Sequence, residues 1–168
     1  VHADHVTSAS ALKARTGAQI CLNEVANATG VDIALKDGQE LSFGRYKIKA
    51  MATPGHTNTC MSYYSEDRVF TGHVLFVRDV GRTDFQEGSN EKMFASIQRI
   101  LSLPDDTLVF PAHDYKGHLL STVAEEKRLN PKIQGGFEKF RERMEAMKLA
   151  PPKRLHIAVP ANLKSGAE

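Results

Sequence analysis

Arg45-Tyr46-Lys47-Ile48-Lys49-Ala50-Met51-Ala52-Thr53-Pro54-Gly55-His56 is the stretch that decides the fold. Tyr46, Ile48, Ala50 and Ala52 alternate with Arg45, Lys47 and Lys49, the period-two pattern of a half-buried strand. Pro-Gly then breaks the strand, and a histidine follows at once. The same grammar recurs downstream. Cys60–Tyr64 and Arg68–Thr71 read as strands joined by Ser65-Glu66-Asp67, and Thr71-Gly72 delivers His73. Thr107–Phe110 is a compact apolar strand that runs into Pro111-Ala112-His113-Asp114-Tyr115. Loops at one edge of a sheet converge, so histidines far apart in sequence can meet there.

Helical patterns lie between and after these strands. Met93, Phe94, Ile97, Ile100 and Leu101 form a stripe over 90–102, with Ser89 or Asn90 as cap and Pro104 beyond its end. Thr122-Val123-Ala124-Glu125 fits a capping box for a helix that stops before Pro131. Phe137, Phe140, Met144 and Met147 mark an amphipathic helix after Gly135-Gly136, best read as a core-facing stripe. Upstream, residues 4–14 predict a short helix ended at Thr16-Gly17, and Ala18–Leu22 a short buried strand. A turn at Lys36-Asp37-Gly38 leads into the strand Glu40–Phe43. Strands interleaved with helices imply a layered α/β domain.

The chain has 168 residues, enough for one domain with a real core. Its 41% hydrophobic and 25% charged residues are ordinary globular composition. With 22 basic and 20 acidic residues the net charge is +2, which gives no reason to expect a nucleic-acid or membrane-surface partner. No apolar run approaches a membrane span. Cys21 and Cys60 are too few for a disulfide framework.

Histidine carries the chemistry. His2-Ala3-Asp4-His5 gathers three potential metal ligands in four residues, and His56, His73 and His113 each follow a strand. Imidazole with carboxylate suits zinc or iron. A ligand cluster at the first five positions of a chain beginning with Val1 predicts a start inside a longer motif. His118 and His156 lack such a setting.

His2-Ala3-Asp4-His5 resembles the back half of the metallo-β-lactamase superfamily motif T-H-x-H-x-D-H. Pro54-Gly55-His56-Thr57, Phe70-Thr71-Gly72, Gly81-Arg82-Thr83-Asp84-Phe85-Gln86, Pro111-Ala112-His113-Asp114-Tyr115-Lys116-Gly117, Asn130-Pro131 and Val159-Pro160-Ala161-Asn162 resemble the persulfide dioxygenases. The similarity runs over essentially the whole chain. It implies an αββα metallo-β-lactamase-type sandwich, here a single domain over 1–168 without the first strands. It also implies a mononuclear non-haem Fe(II), held by two histidines and one aspartate, that turns glutathione persulfide and O₂ into glutathione and sulfite. Homodimers are common in the family, and its settings are the bacterial cytoplasm and the mitochondrial matrix.

Residue by residue, the resemblance puts metal ligands at His56 and His73. Asp4, His5 and His113 match the second-metal positions of zinc hydrolases in the superfamily, and here they are expected to support catalysis by hydrogen bonding around the metal. Arg82, Asp84, Tyr115, Lys116 and Asn162 are candidates for holding glutathione, since an Arg fork matches a carboxylate and Asp pairs with an ammonium. There are departures. The family's first ligand would lie just before Val1, its third is an aspartate where this chain has His73, and Arg78-Asp79-Val80-Gly81 stands where Arg-Gly-Cys-Gly is commoner. Replacing Asp by His removes a negative charge from the metal and predicts weakened iron binding or none, and with it impaired catalysis. Two rivals remain: a zinc thioester hydrolase of the glyoxalase II kind, and a non-catalytic scaffold.

Overall fold

The computed structural model describes residues 1–167, which gather into two compact units. The first comprises residues 1–36 and 149–167, the second Asp37–Lys148. In chain order the elements are α1 (Ala9–Thr16), β1 (Cys21–Asn23), β2 (Ile33–Leu35), β3 (Glu40–Phe43), β4 (Tyr46–Ala52), β5 (Met61–Ser65), β6 (Arg68–Gly72), β7 (Leu75–Phe76), β8 (Asp79–Val80), α2 (Asn90–Leu101), β9 (Leu108–Pro111), β10 (Ser121–Thr122), α3 (Val123–Leu129), α4 (Gly136–Glu145) and α5 (Leu155–Asn162).

The second unit is a six-stranded sheet in the order β10-β9-β6-β5-β4-β3, with α2, α3 and α4 supplying the other layer of its core. Its neighbours are antiparallel except β6 and β9, which run parallel and are joined through the long excursion carrying α2. That single parallel pair brings the C-terminal ends of β6 and β9 together, and with them His73 and His113. The alternation read in β4 continues across the sheet: Ala50 faces Tyr63, Tyr63 faces Phe70, and Phe70 faces Phe110. The opposite face sends Val69 and Val109 into a fully buried cluster with Met93, Ile97, Ile100, Val123 and Phe140.

Local sequence fixes the helices of this unit. Ser89 caps α2 by accepting the Lys92 N–H, and Met93, Ile97, Ile100 and Leu101 are its buried stripe. Thr122 and Glu125 form the expected capping box of α3. In α4, Phe140 and Met144 are buried, while Phe137 and Met147 pack on the rim of the core. The short hairpin β7–β8 turns through Val77 and Arg78, and Arg78 has a positive φ of 56°.

In the first unit β1 and β2 pair in parallel, and Lys13 of α1 bridges to Asp32 at 2.5 Å. Two expectations need correction here. The helix predicted over 4–14 begins only at Ala9, because residues 2–7 are tied by their backbone to Asn162. The strand predicted at Ala18–Leu22 is Cys21–Asn23 and only half-buried, since Ile20 is spent on a turn that accepts the Asp32 and Ile33 N–H groups. Helix α5 was not foreseen, because Pro160 lies inside it.

Candidate metal centre

The loop Thr53–His56 is clamped onto α2. Ser96 Oγ donates to the Pro54 carbonyl at 2.7 Å, and the Ser89 N–H donates to the Gly55 carbonyl at 2.9 Å. Gly55 has φ +142° and lies so close to Met93 that a Cβ would sit 2.3 Å from its Cα. Only glycine tolerates both the dihedral and the approach. The clamp fixes where His56 emerges.

His56 is then oriented by a second segment. Its Nδ1 lies 2.7 Å from the Arg82 carbonyl oxygen. A carbonyl can only accept, so Nδ1 carries the proton and Nε2 carries the lone pair, the tautomer that a metal-binding imidazole needs. Gly81 makes this approach feasible: a Cβ there would fall 1.9 Å from the His73 carbonyl oxygen and 3.2 Å from His56 Nδ1. The chain from His73 to Arg82 thus closes as a loop beside both histidines.

His73 stands between two other imidazoles. Its ring stacks on His56 with centroids 5.0 Å apart and 10° between planes. Its Nε2 lies 2.8 Å from His113 Nε2, so one nitrogen of that pair offers a lone pair to the other. Two nitrogens bound side by side on one ion at ~2.0–2.1 Å lie about 3 Å apart, so the pair also fits adjacent donors to a metal. An all-imidazole donor set suits zinc, iron and copper alike. The donors therefore fit a first-row ion, but the carboxylate of the pattern resembled is replaced by His73.

Tyr115, Arg82, Asp84 and Lys116 belong to the same unit as these rings. Tyr115 is largely exposed, stacks on His113 at 5.4 Å and meets Phe76 edge-on. Arg82 and Asp84 grip each other: Nε and Nη2 each donate to a carboxylate oxygen at 2.6 Å, and the guanidinium lies 4.2 Å from the Phe85 ring centroid. The Arg82 fork holds the Asp84 carboxyl below the usual carboxylate range. Lys116 Nζ donates to the Arg78 carbonyl at 2.9 Å and stands 3.4 Å from an Asp79 carboxylate oxygen.

The first unit holds Asp4, His5 and Asn162. Asn162 is nearly buried, and its side chain is used on the chain backbone. Nδ2 donates to the carbonyls of His2 and His5 at 2.9 Å each, and Oδ1 accepts the Thr7 N–H at 2.8 Å. It holds the His2–Thr7 segment, a role that motif reading alone had not suggested. Asp4 and His5 are exposed, 3.8 Å apart. A cavity of about 190 Å³ in this unit is lined by His2, His5, Ile20, Leu22 and Asn162 among others. Sequence reasoning also missed Glu126, a fully buried carboxylate that accepts the Arg78 N–H.

Comparison with known proteins bears on the fold and the family. The metallo-beta-lactamase superfamily model matches residues 1–113. The mitochondrial persulfide dioxygenase ETHE1 of Homo sapiens is 38% identical over 99% of this chain, which spans 67% of that protein. A hydroxyacylglutathione hydrolase of Brucella anthropi is 43% identical, but over only 68% of the chain and 45% of its own length. The crystal structure of ETHE1 from Myxococcus xanthus superposes with a TM-score of 0.95 at 44% identity, covering 99% of this chain and 75% of that one. The fold is thus the metallo-β-lactamase fold, and the superfamily implies a metal. A centre of strand-end histidines on this sheet, in a chain this similar to ETHE1 along nearly its whole length, places the protein in the persulfide dioxygenase family of the metallo-β-lactamase superfamily.

Proposed function

We propose that this chain carries the metal centre of a glutathione-dependent persulfide dioxygenase. In the reaction one persulfide, one O₂ and one water become one thiol, one sulfite and two protons. The observation that carries the reading is His56, with its Nδ1 proton fixed on the Arg82 carbonyl, in ring contact with His73 at the end of β6. A non-haem iron bound there would offer adjacent positions to substrate sulfur and O₂.

The remaining residues have positional tasks. The Arg82 carbonyl holds the His56 tautomer, while the Arg82 guanidinium and Asp84 carboxylate present a cation and an anion 2.6 Å apart. Glutathione carries two carboxylates and one ammonium, so the two termini of that ion pair match it in kind. Tyr115 lies over the His113 ring and presents an aromatic wall at the exposed edge of the centre. Lys116 is committed to the Arg78–Asp79 turn and steadies the loop after His113. Asn162 and the segment it holds, with Asp4 and His5, complete the motif carried by the first unit.

His73 weakens this centre for iron(II). It withdraws one negative charge and brings a ring that bonds His113. The second reading is a zinc thioester hydrolase, favoured by the similarity to the Brucella hydroxyacylglutathione hydrolase. Metal analysis of the purified chain, coupled to O₂ uptake and sulfite release from glutathione persulfide, decides between them. Iron with sulfite release supports the dioxygenase. Zinc with hydrolysis of an acylglutathione supports the rival, and no metal with no turnover leaves a scaffold.

A further inference from the structure

We infer that Glu126 is a positioning residue of the histidine centre, acting through the β7–β8 hairpin. It lies on α3, 48 residues along the chain from the Arg78 whose N–H it accepts, and is completely buried. Both its oxygens accept the Arg78 N–H, at 3.0 and 3.2 Å. Asn130 donates to Glu126 at 2.7 Å and to the Asp79 carbonyl at 3.1 Å, so α3 and the residue that caps its C-terminus hold two successive residues, Arg78 and Asp79. Lys116 closes the turn from the other side by donating to the Arg78 carbonyl. A carboxylate is costly to bury without hydrogen bonds, and here they come from the turn and from Asn130.

The turn matters because of what its two arms carry. One arm leads back through Leu75 to His73, and the other leads through Val80 and Gly81 to Arg82. Gly81 lies against the His73 carbonyl, and Arg82 supplies the acceptor for His56. Arg78 adopts a positive φ, which a non-glycine residue keeps only when its surroundings hold it. Glu126 and Asn130 are those surroundings. Releasing the turn lets the arms shift, and the His56 proton loses its fixed acceptor.

The inference takes its catalytic meaning from the proposed function, yet it is tested without metal or turnover. Long-range ¹H–¹⁵N NMR of the metal-free chain reads the His56 tautomer, and amide exchange reads Arg78. The parent is expected to show a single Nδ1–H form of His56. Glu126→Gln presents an amide N–H to a donor, or forces Asn130 to turn away. It should replace the single form by a tautomer mixture and quicken Arg78 exchange roughly tenfold or more, the loss expected for one charge-assisted bond. Asn130→Ala, which keeps the carboxylate, should do the same more mildly and serves if Glu126→Gln does not fold. Met144→Ala in α4, which destabilises the same core, should leave the tautomer unchanged. Unaltered His56 signals in the folded Glu126 or Asn130 variant would overturn the inference. So would an equal response to Met144→Ala, or a parent in which His56 is not the Nδ1–H form. Metal content of the parent is measured separately, so failure of the functional reading is told apart from failure of this one.

Discussion

Gly81 shows how little room the centre leaves. Adding a methyl group there puts a carbon 1.9 Å from the His73 carbonyl, and neither the loop nor His56 can give way without losing the Arg82 contact. Gly81→Ala should therefore cost about 1–3 kcal/mol of stability, measured by urea unfolding, and displace the His56 ring signals as well. Unchanged signals would mean that the approach of Gly81 is incidental. His73 is the other decisive residue. Its Nε2 is 2.8 Å from His113 Nε2, a bond that a shorter carboxylate gives up while adding negative charge beside His56 and His113. His73→Asp should raise iron(II) affinity by about tenfold or more, read by competition with a chromophoric chelator. Equal affinity in the two forms would show that position 73 does not face the metal.

The capping box of α3 is worth testing because that helix carries Glu126. Thr122 accepts the Glu125 N–H at 3.1 Å and Glu125 reaches back to the Thr122 N–H at 3.3 Å. Thr122→Ala should lower stability by about 1 kcal/mol, visible as a reduced urea midpoint. Asp37 couples β4 to α2: it accepts from Arg99 and from the Ala52 N–H, both at 2.8 Å. The Arg99 bond, ahead of the backbone bonds, lowers its folded pKa below the ordinary 3.8. A lowered folded pKa means that the stabilisation is present above the ordinary value and is lost as pH falls through the folded one. Asp37 is half exposed, so the ion pair is worth under about 1 kcal/mol. Asp37→Asn should thus be less stable than the parent at neutral pH, and the gap should close well below pH 3.8; a gap that persists in acid would assign the effect to packing. These elements were legible in the sequence because their signals are local: a Thr three residues from its Glu partner, a stripe of Met93, Ile97 and Ile100, an alternating strand. The histidines were legible too, since His56, His73 and His113 each follow a strand. The β7–β8 hairpin was not, because Val74 to Val77 is an unbroken apolar run whose turn is dictated by Glu126, some fifty residues away. Asn162 was singled out by motif, but its partners, more than 150 residues distant, could not be read from it.

At the scale of the whole molecule the two units differ in what holds each together. The contiguous buried cluster, from Cys60 and Val69 through Met93, Ile97 and Val109 to Phe140 and Met144, lies wholly within residues 37–148. The first unit buries fewer and smaller apolar side chains, chiefly Ala3, Ile20, Ala26, Leu35 and Ala158. It depends instead on polar ties such as Asn162 to residues 2, 5 and 7, and Ser165 to Ser10 and Thr29. Amide exchange follows local stability, and segments with few buried apolar contacts open first. Amides of β5, β6, β9 and α2 should therefore exchange last, and those of β1, β2 and α5 well before them. Asn162→Ala removes three hydrogen bonds at once, two from donors and one to an acceptor. It should speed exchange throughout residues 2–16 while leaving β6 and β9 as protected as before. Mass-spectrometric exchange resolves the two sets. If the first unit were as protected as the sheet, or if Asn162→Ala loosened both alike, the units would be one cooperative body, and the His2–Thr7 segment would owe its position to more than the asparagine that grips it.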